Sequence, residues 1–310
     1  MTTLALAQPK NLLRLSDLAL LGVAVVWGTS YGVAKGALAF YPVLGFLAVR
    51  FILTFVLLLP ALWRTSGQQK RDAVRTGLPL GALMLGIFLC ETFGIAHTQA
   101  SNAAFLISLC VVFTPFVEWW LLGRRPAQSM FAFAGISLLG AALLSGGLTG
   151  ALGVGDALML AAAVVRAITV CQTSKLTRHS SAPALALTAV QAGVIGFGSL
   201  LLALRLPGGL PPLPQANAFW QASAYLVVGC TIFAFFAQNW ALKHTSPSRV
   251  ALLTSSEPAF GALFAVLWLG ESLSVTGWVG GGLIVAAALW TTVYAQPRPT
   301  EHDDAGLTKI

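Results

Sequence analysis

Charged residues are scarce in this sequence. Only 10 of the 310 residues are Asp or Glu and 18 are Lys or Arg, so 9% are charged, whereas a soluble domain carries about 25%. Hydrophobic residue types make up 57%, and the mean hydropathy is +0.81. A soluble monomer of this composition would expose a largely apolar surface. The scarcity of charge therefore excludes a soluble globular protein and indicates a protein of the lipid bilayer.

Cysteines are few, and several enzyme and metal-site motifs are absent. The four cysteines, Cys90, Cys110, Cys171 and Cys230, all fall in apolar stretches, which excludes a disulfide scaffold and is typical of core filling. The sequence has no His-Glu-x-x-His, no phosphate-binding glycine loop and no Cys/His cluster. We therefore predict a protein that is not an enzyme and that uses no cofactor or metal.

Ten stretches are long and apolar enough to cross a bilayer as helices, for which about 20 residues are needed. They cover residues 17–36, 42–63, 77–96, 101–122, 128–147, 155–175, 184–204, 219–241, 247–269 and 274–295. The apolar runs are continuous rather than alternating, which favours helices over the strands of a barrel. The sequence therefore predicts an all-α integral membrane protein with ten transmembrane helices.

The basic residues predict the orientation of these helices, because Lys and Arg are retained on the cytoplasmic side. If the ten spans alternate in direction, one side of the membrane receives 14 of the 18 basic residues. The other side receives Lys35 and Arg205, while Arg50 and Arg166 lie within spans. We therefore expect both termini in the cytoplasm. We also expect the net charge of +8 to reflect membrane orientation and not binding to nucleic acid.

The two halves of the chain match at polar positions. A shift of 147 residues superimposes His97-Thr98 on His244-Thr245, Ser101 on Ser248 and Ser108 on Ser255, and a shift of 139 superimposes Asp17 on Asp156. We predict two repeats of five helices, residues 1–150 and 151–296, followed by a cytoplasmic tail, 297–310. Because five is odd, the second repeat enters the membrane from the opposite side. Inverted pairs of this kind build transporters, which open a central site alternately to each face of the membrane.

Six short motifs occur in a characteristic order: Val26-Trp27-Gly28-Thr29-Ser30, Arg50-Phe51, Phe105-Leu106-Ile107-Ser108, Val111-Val112-Phe113-Thr114-Pro115, Ser256-Glu257-Pro258 and Leu269-Gly270-Glu271. With them the chain resembles the drug/metabolite transporter superfamily in its ten-helix EamA-type branch. Two positions depart from the pattern, because Arg124 replaces an acidic residue and Arg166 replaces a frequent Trp. Within the branch the chain is most similar to exporters of amino acids, particularly aromatic ones.

Charged side chains inside a span cost about 2.5–3.5 kcal/mol each on insertion scales, so each should face protein or water. Arg166 lies near the middle of the sixth span and Glu257 near the middle of the ninth. They are candidates for substrate binding, for a gate or, in the case of Glu257, for carrying a proton. The alternative is a structural ion pair of Arg166 with Glu257 or with Glu91, and Glu91 is itself a candidate proton or gate residue. We expect Arg50 to reach the outer surface.

One face of the first helix combines an indole, a hydroxyl and a phenol, from Trp27, Ser30 and Tyr31. We expect this face to line a cavity, because the opposite stripe of Gly28, Gly32 and Gly36 lets a neighbouring helix approach closely. The alternative is that the aromatic rings only pack or lie at the membrane surface.

Five further residues are predicted to bind substrate: Asn102, Phe105 and Ser108 in the fourth span, Gln238 in the eighth and Ser255 in the ninth. The alternative for each serine is a bond back to its own helix. The resemblance implies a secondary transporter of a bacterial-type inner membrane that exports amino acids by alternating access. A drug or other metabolite exporter, a membrane-embedded enzyme and a non-transporting subunit are the alternatives. We expect a small-molecule substrate and membrane lipid as partners, no nucleic acid, and a monomer.

Overall fold

The computed structural model describes residues 10–98, 100–123, 125–146, 153–178, 180–207, 209–269 and 272–294. Within these ranges the chain forms α-helices and one π-helical segment, Leu226–Phe233, and no strand. The helices are α1 Lys10–Leu38, α2 Val43–Trp63, α3 Gly67–His97, α4 Ala100–Ser108, α5 Cys110–Leu122, α6 Gln128–Ser145, α7 Val154–Thr177, α8 Ala184–Leu204, α9 Asn217–Tyr225, α10 Ala234–Leu242, α11 Pro247–Thr254, α12 Glu257–Leu269 and α13 Val275–Tyr294.

Each of the ten predicted spans is helical. In the part of the chain that the structure describes, eight helical stretches are long and apolar enough to cross a membrane, and a shorter apolar helix lies within α13. The remaining predicted span corresponds to α11 and α12 together. The prediction of an all-helical, multi-pass membrane fold is therefore confirmed.

The fourth and ninth predicted spans are each formed by two helices with an interruption between them. The breaks separate α4 from α5 and α11 from α12, and the shift of 147 residues superimposes them. Beside each break a serine hydroxyl bonds back to its own helix: Ser108 to the Phe105 carbonyl at 2.6 Å and Ser255 to the Leu252 carbonyl at 2.7 Å. Such bonds compete with the regular helix pattern. In the second break, Pro258 also lacks an N–H to donate to the preceding turn.

The strongest packing joins the two halves of the chain to each other. α2 packs on α8 and α6 on α13, and each of these pairs joins equivalent spans of the two halves. In the first half, α3 and α5 contact α7. Their equivalents in the second half, α10 and α12, contact α1. Exchanging the halves therefore returns these main helix contacts, as expected for inverted repeats.

Glycines set the distance between helices at two of these contacts. A Cβ atom on Gly28 of α1 would lie 2.6 Å from the Glu257 carbonyl oxygen and 2.7 Å from the backbone nitrogen of Gly261 in α12. A Cβ atom on Gly280 of α13 would lie 2.5 Å from the Gly140 carbonyl oxygen in α6. Only glycine allows such close approach. The first contact places the start of α12, and therefore Glu257, directly beside α1.

Candidate functional site

A buried ion pair joins α7 to the start of α12. Arg166 Nη2 donates to Glu257 Oε2 at 3.1 Å, and the two side chains are 14% and 7% exposed. The Arg166 guanidinium also lies over the Trp27 ring, with its Cζ atom 4.7 Å from the ring centroid, which is within the range of a cation–π interaction. The sequence left open whether Arg166 pairs with Glu91 or Glu257, and the structure pairs it with Glu257.

Trp27 is held in this position by the neighbouring π-helical segment. Its indole Nε1 donates to the Cys230 carbonyl at 2.9 Å. Ser30, one turn further along α1, donates back to the Trp27 carbonyl at 2.8 Å. The indole nitrogen is therefore satisfied by protein, and the ring face remains available to Arg166.

The central cavity is the space on the Trp27 side of this ion pair. It is narrow, about 80 Å³, and it is lined by α1, α2, α3, α7, α10 and the start of α12. Five charged residues line it: Lys35, Arg50, Glu91, Arg166 and Glu257. They are joined by the aromatic rings of Trp27, Phe46, Phe88 and Phe235 and by the polar groups of Ser30, Thr92, Thr169 and Gln238. Leu38 and Ile95 also line it, so it extends towards the end of the molecule at which α1 and α3 finish.

The second cavity lies on the other side of the same ion pair. It is wider, about 680 Å³, and its walls are mostly apolar, from α1, α4, α6, α11 and α12. Arg166 and Glu257 line both cavities, as do Lys35 and Ile95. The ion pair therefore forms part of a shared wall.

The predicted site residues divide between the two cavities. Trp27, Ser30, Gln238 and Glu91 line the central cavity, Phe105, Ser108 and Ser255 line the second, and Arg166 and Glu257 line both. Tyr31 and Asn102 are not among the residues whose side chains the structure describes. Trp27 and Phe105, which the sequence reasoning grouped around one substrate side chain, therefore face different spaces.

The expectation that Arg50 reaches the outer surface is wrong. Arg50 is buried, its Nε donates to Thr231 Oγ1 at 3.0 Å, and its Cζ atom lies 5.1 Å and 5.5 Å from the ring centroids of Phe51 and Phe88. Thr231 is in turn bonded to the carbonyl of Leu226, five residues back, at 2.9 Å. The π-helical segment thus presents a hydroxyl acceptor to an arginine in the middle of the bundle.

The expected glycine stripe of α1 is correct only at Gly28. A Cβ atom on Gly32 or on Gly36 would meet no atom within 4 Å, and Gly32 lines the second cavity. Sequence reasoning also missed Thr92 and Thr169 of the central cavity. The sequence signal that could have identified them is a hydroxyl residue in the same span as a charged one, since Thr92 shares a span with Glu91 and Thr169 with Arg166.

At the end of the molecule where α1 begins, polar contacts close the space between α1, α5 and α11, while a third cavity of about 610 Å³ lies between the start of α3 and the ends of α5 and α7. Arg249 at the start of α11 donates to Asp17 from Nη2 at 2.7 Å and from Nε at 3.1 Å, and both side chains are buried. Ser248 donates to Glu118 from its backbone nitrogen at 2.9 Å and from its hydroxyl. Lys243 donates to the Ala182 carbonyl, and burial lowers the pKa of Lys243 below its ordinary value.

At the opposite end, the repeat-related aspartate makes a different contact. Asp156 Oδ1 accepts from Thr98 Oγ1 at 2.5 Å, and its Oδ2 accepts from the Gly153 backbone nitrogen at 2.9 Å. Asp17 and Asp156 thus stand at equivalent places in the two repeats, each at the start of its first span. Two salt bridges occur among the described residues, Arg166–Glu257 and Arg249–Asp17, so of the two aspartates Asp17 takes part in one.

A helical bundle of two inverted halves, with buried charges around internal cavities, is the architecture of a secondary transporter. The family comparison agrees: the EamA-like transporter family matches residues 14–146 and again residues 153–293. The chain therefore belongs to the EamA-like transporter family and is a multi-pass membrane transporter.

Similar proteins carry transporter names. An uncharacterized transporter of Archaeoglobus fulgidus is 28% identical over 286 residues, which cover 88% of this chain and 84% of the relative. The uncharacterized inner membrane transporter YedA of Escherichia coli is 26% identical over 284 residues, 89% of this chain and 90% of its own length. A solved crystal structure that is 18% identical superimposes with a TM-score of 0.73 over 91% of this chain and 97% of the other, which supports the fold.

Proposed function

We propose that the protein exports amino acids, with preference for aromatic or apolar side chains, across a bacterial-type inner membrane by alternating access. The observation that carries this proposal is the buried Arg166–Glu257 pair in the wall of the cavities. Breaking a buried ion pair leaves two charges without partners, which is costly. A zwitterion offers a carboxylate to Arg166 and an ammonium group to Glu257 at once. It can therefore replace the internal pair without leaving either charge unpaired.

The proposed orientation places both termini in the cytoplasm. It rests on the excess of Lys and Arg at the end where α1 begins. That end is closed by Asp17–Arg249 and Glu118–Ser248, while the cavities extend to the opposite end. The conformation would then be open towards the outside, after a substrate has been released.

Transport into proteoliposomes tests this function directly. We expect the parent protein to accumulate labelled phenylalanine, tryptophan or leucine above empty vesicles, and Arg166→Ala to lose this accumulation. Arg205→Ala serves as the control, because Arg205 is an exposed arginine at the end of α8. If no amino acid accumulates in parent vesicles, the substrate assignment is wrong while the transporter family remains.

One observation favours a second substrate class. Glu91 and Glu257 face the central cavity together with the rings of Trp27, Phe88 and Phe235, and acidic groups combined with aromatic faces attract organic cations. A drug-type cation would then compete for the same space. Competition between labelled phenylalanine and a quaternary ammonium compound decides between the two, since a cation exporter would prefer the latter.

A further inference from the structure

The second cavity meets the central cavity at the Arg166–Glu257 pair, and the rest of its wall is mostly apolar. Its walls include Phe105, Ile107, Leu144, Ala262 and Phe264. These side chains come from α4, α6 and α12, and α4 and α12 belong to different halves of the chain. The only described groups it shares with the central cavity are Lys35, Ile95 and the Arg166–Glu257 pair.

Hydroxyl groups at the edge of this cavity are already occupied. Ser108 donates to the Phe105 carbonyl at 2.6 Å. Ser255 donates to the Leu252 carbonyl at 2.7 Å and also lies 3.0 Å from the Ser137 hydroxyl. Because these hydroxyls bond within the protein, the space they border favours an apolar occupant.

Size distinguishes the two cavities as sites for a ring. An apolar cavity of about 150 Å³ is enough to bind benzene. The central cavity, at about 80 Å³, is too small for such a ring in this conformation. The second cavity, at about 680 Å³, holds an aromatic side chain easily.

We propose that the second cavity binds the apolar side chain of the substrate and sets its specificity, while the charged end of the substrate engages the Arg166–Glu257 pair in the shared wall. This inference rests on the proposed amino-acid transport. It assigns the side chain to the Phe105 side of the ion pair, and Trp27 then acts by positioning Arg166 through its ring face.

Gly32 offers a way to fill the second cavity without disturbing the packing. It lines this cavity, and a Cβ atom there would meet nothing within 4 Å, so Gly32→Leu places a side chain in the cavity. Gly36→Leu is the matched control, since Gly36 lies one turn further along α1, also has open space around it and lines neither cavity. Ala34→Leu is the third variant, because Ala34 lines the central cavity and not the second cavity.

The experiment measures uptake of labelled alanine, valine, leucine, phenylalanine and tryptophan into proteoliposomes. We expect Gly32→Leu to reduce phenylalanine and tryptophan uptake by about tenfold or more relative to alanine, the scale on which a few methylene groups discriminate in an apolar pocket. Gly36→Leu should keep the parent ratio. Thermal stabilisation of the purified protein by phenylalanine should be lost in Gly32→Leu and kept in Gly36→Leu.

The possible results separate this inference from the proposed function. If the parent accumulates no amino acid, both fall together. If the parent accumulates phenylalanine and Gly32→Leu keeps the parent ratio, only the assignment to the second cavity is overturned, and that space belongs to lipid. If Ala34→Leu alone selects against phenylalanine, the side chain lies beside Trp27 instead.

Discussion

Arg166 and Glu257 each reduce the cost of burying the other's charge in the membrane. An isolated buried charge is far more costly than a paired one, and both side chains are largely buried, at 14% and 7% exposure. We expect Arg166→Met to destabilise the protein by about 3–5 kcal/mol, as for the loss of one partner of a buried pair. The double variant Arg166→Met with Glu257→Gln should recover most of this loss. Thermal unfolding in detergent measures both, and a double variant as unstable as the single one would contradict the pairing.

The Arg50 Nε donates its hydrogen bond to a hydroxyl of the π-helical segment, that of Thr231. Thr231→Val keeps the volume of the side chain and removes the acceptor of the Arg50 Nε hydrogen bond. We expect a loss of about 1.5–3 kcal/mol, the size for a hydrogen bond to a charged group. Thr54→Val is the control, because the Thr54 hydroxyl is also buried but only bonds the Arg50 carbonyl of its own helix at 2.9 Å. Equal unfolding temperatures for the two variants would show that Arg50 has another acceptor.

The sequence predicted which polar residues enter the membrane but not which of them meet. Position along a span gives the depth of Arg166 and of Glu257, whereas their pairing depends on how α7 and α12 are rotated about their axes. Arg50 was misjudged for the same reason, since its long side chain can extend either to the surface or inward, and only the position of Thr231 decides.

At the level of helices, the contact between α1 and α12 depends on one glycine. A methyl group on Gly28 would lie 2.6 Å from the Glu257 carbonyl oxygen, so Gly28→Ala must push the two helices apart. We expect a destabilisation of about 1–3 kcal/mol, as for overpacking, and a loss of transport because Glu257 moves with α12. Gly32→Ala is the control from the same helix and should leave unfolding unchanged. A Gly28→Ala variant with parent stability and uptake would show that this contact is loose.

Hydropathy predicts where the membrane-crossing stretches lie but not where a helix is interrupted within one of them. Apolar length in the sequence predicts ten spans, because the bilayer sets a minimum length for a helix, and each of the ten stretches is helical. It does not reveal the breaks beside Ser108 and Ser255, since serines bond back to the helix in many unbroken spans. The repeat was the stronger signal, because it relates both breaks by the same shift of 147 residues.

For the whole molecule, the repeat-equivalent aspartates at the two ends make different contacts. Asp17 and Asp156 are repeat equivalents, yet Asp17 forms a buried salt bridge with Arg249, while Asp156 accepts hydrogen bonds from Thr98 and Gly153. In an inverted repeat, exchanging the conformations of the halves closes one end as the other opens. Under the proposed alternating access, we expect the salt bridge between α1 and α11 to stabilise the closed state of the end where α1 begins.

Removing this salt bridge should shift the conformational equilibrium. Asp17→Asn leaves Arg249 buried without its anionic partner, which weakens the closed state, and each 1.4 kcal/mol or so of lost stabilisation is a factor of about ten in population. A cysteine introduced by Gln238→Cys in a cysteine-free background reports the change in access. Gln238 lines the central cavity from α10, and it lies four residues before that helix ends on the closed side. We expect an impermeant maleimide, applied from the side where α1 begins, to label it about tenfold faster in the Asp17→Asn variant. Asp72→Asn is the control at the same end. Asp72 accepts hydrogen bonds from Gln68 and Ser181, so it joins α3 to the α7–α8 connection rather than α1 to α11. Equal labelling in the Asp17→Asn and Asp72→Asn variants would mean that the salt bridge holds the fold together without governing access to the cavity.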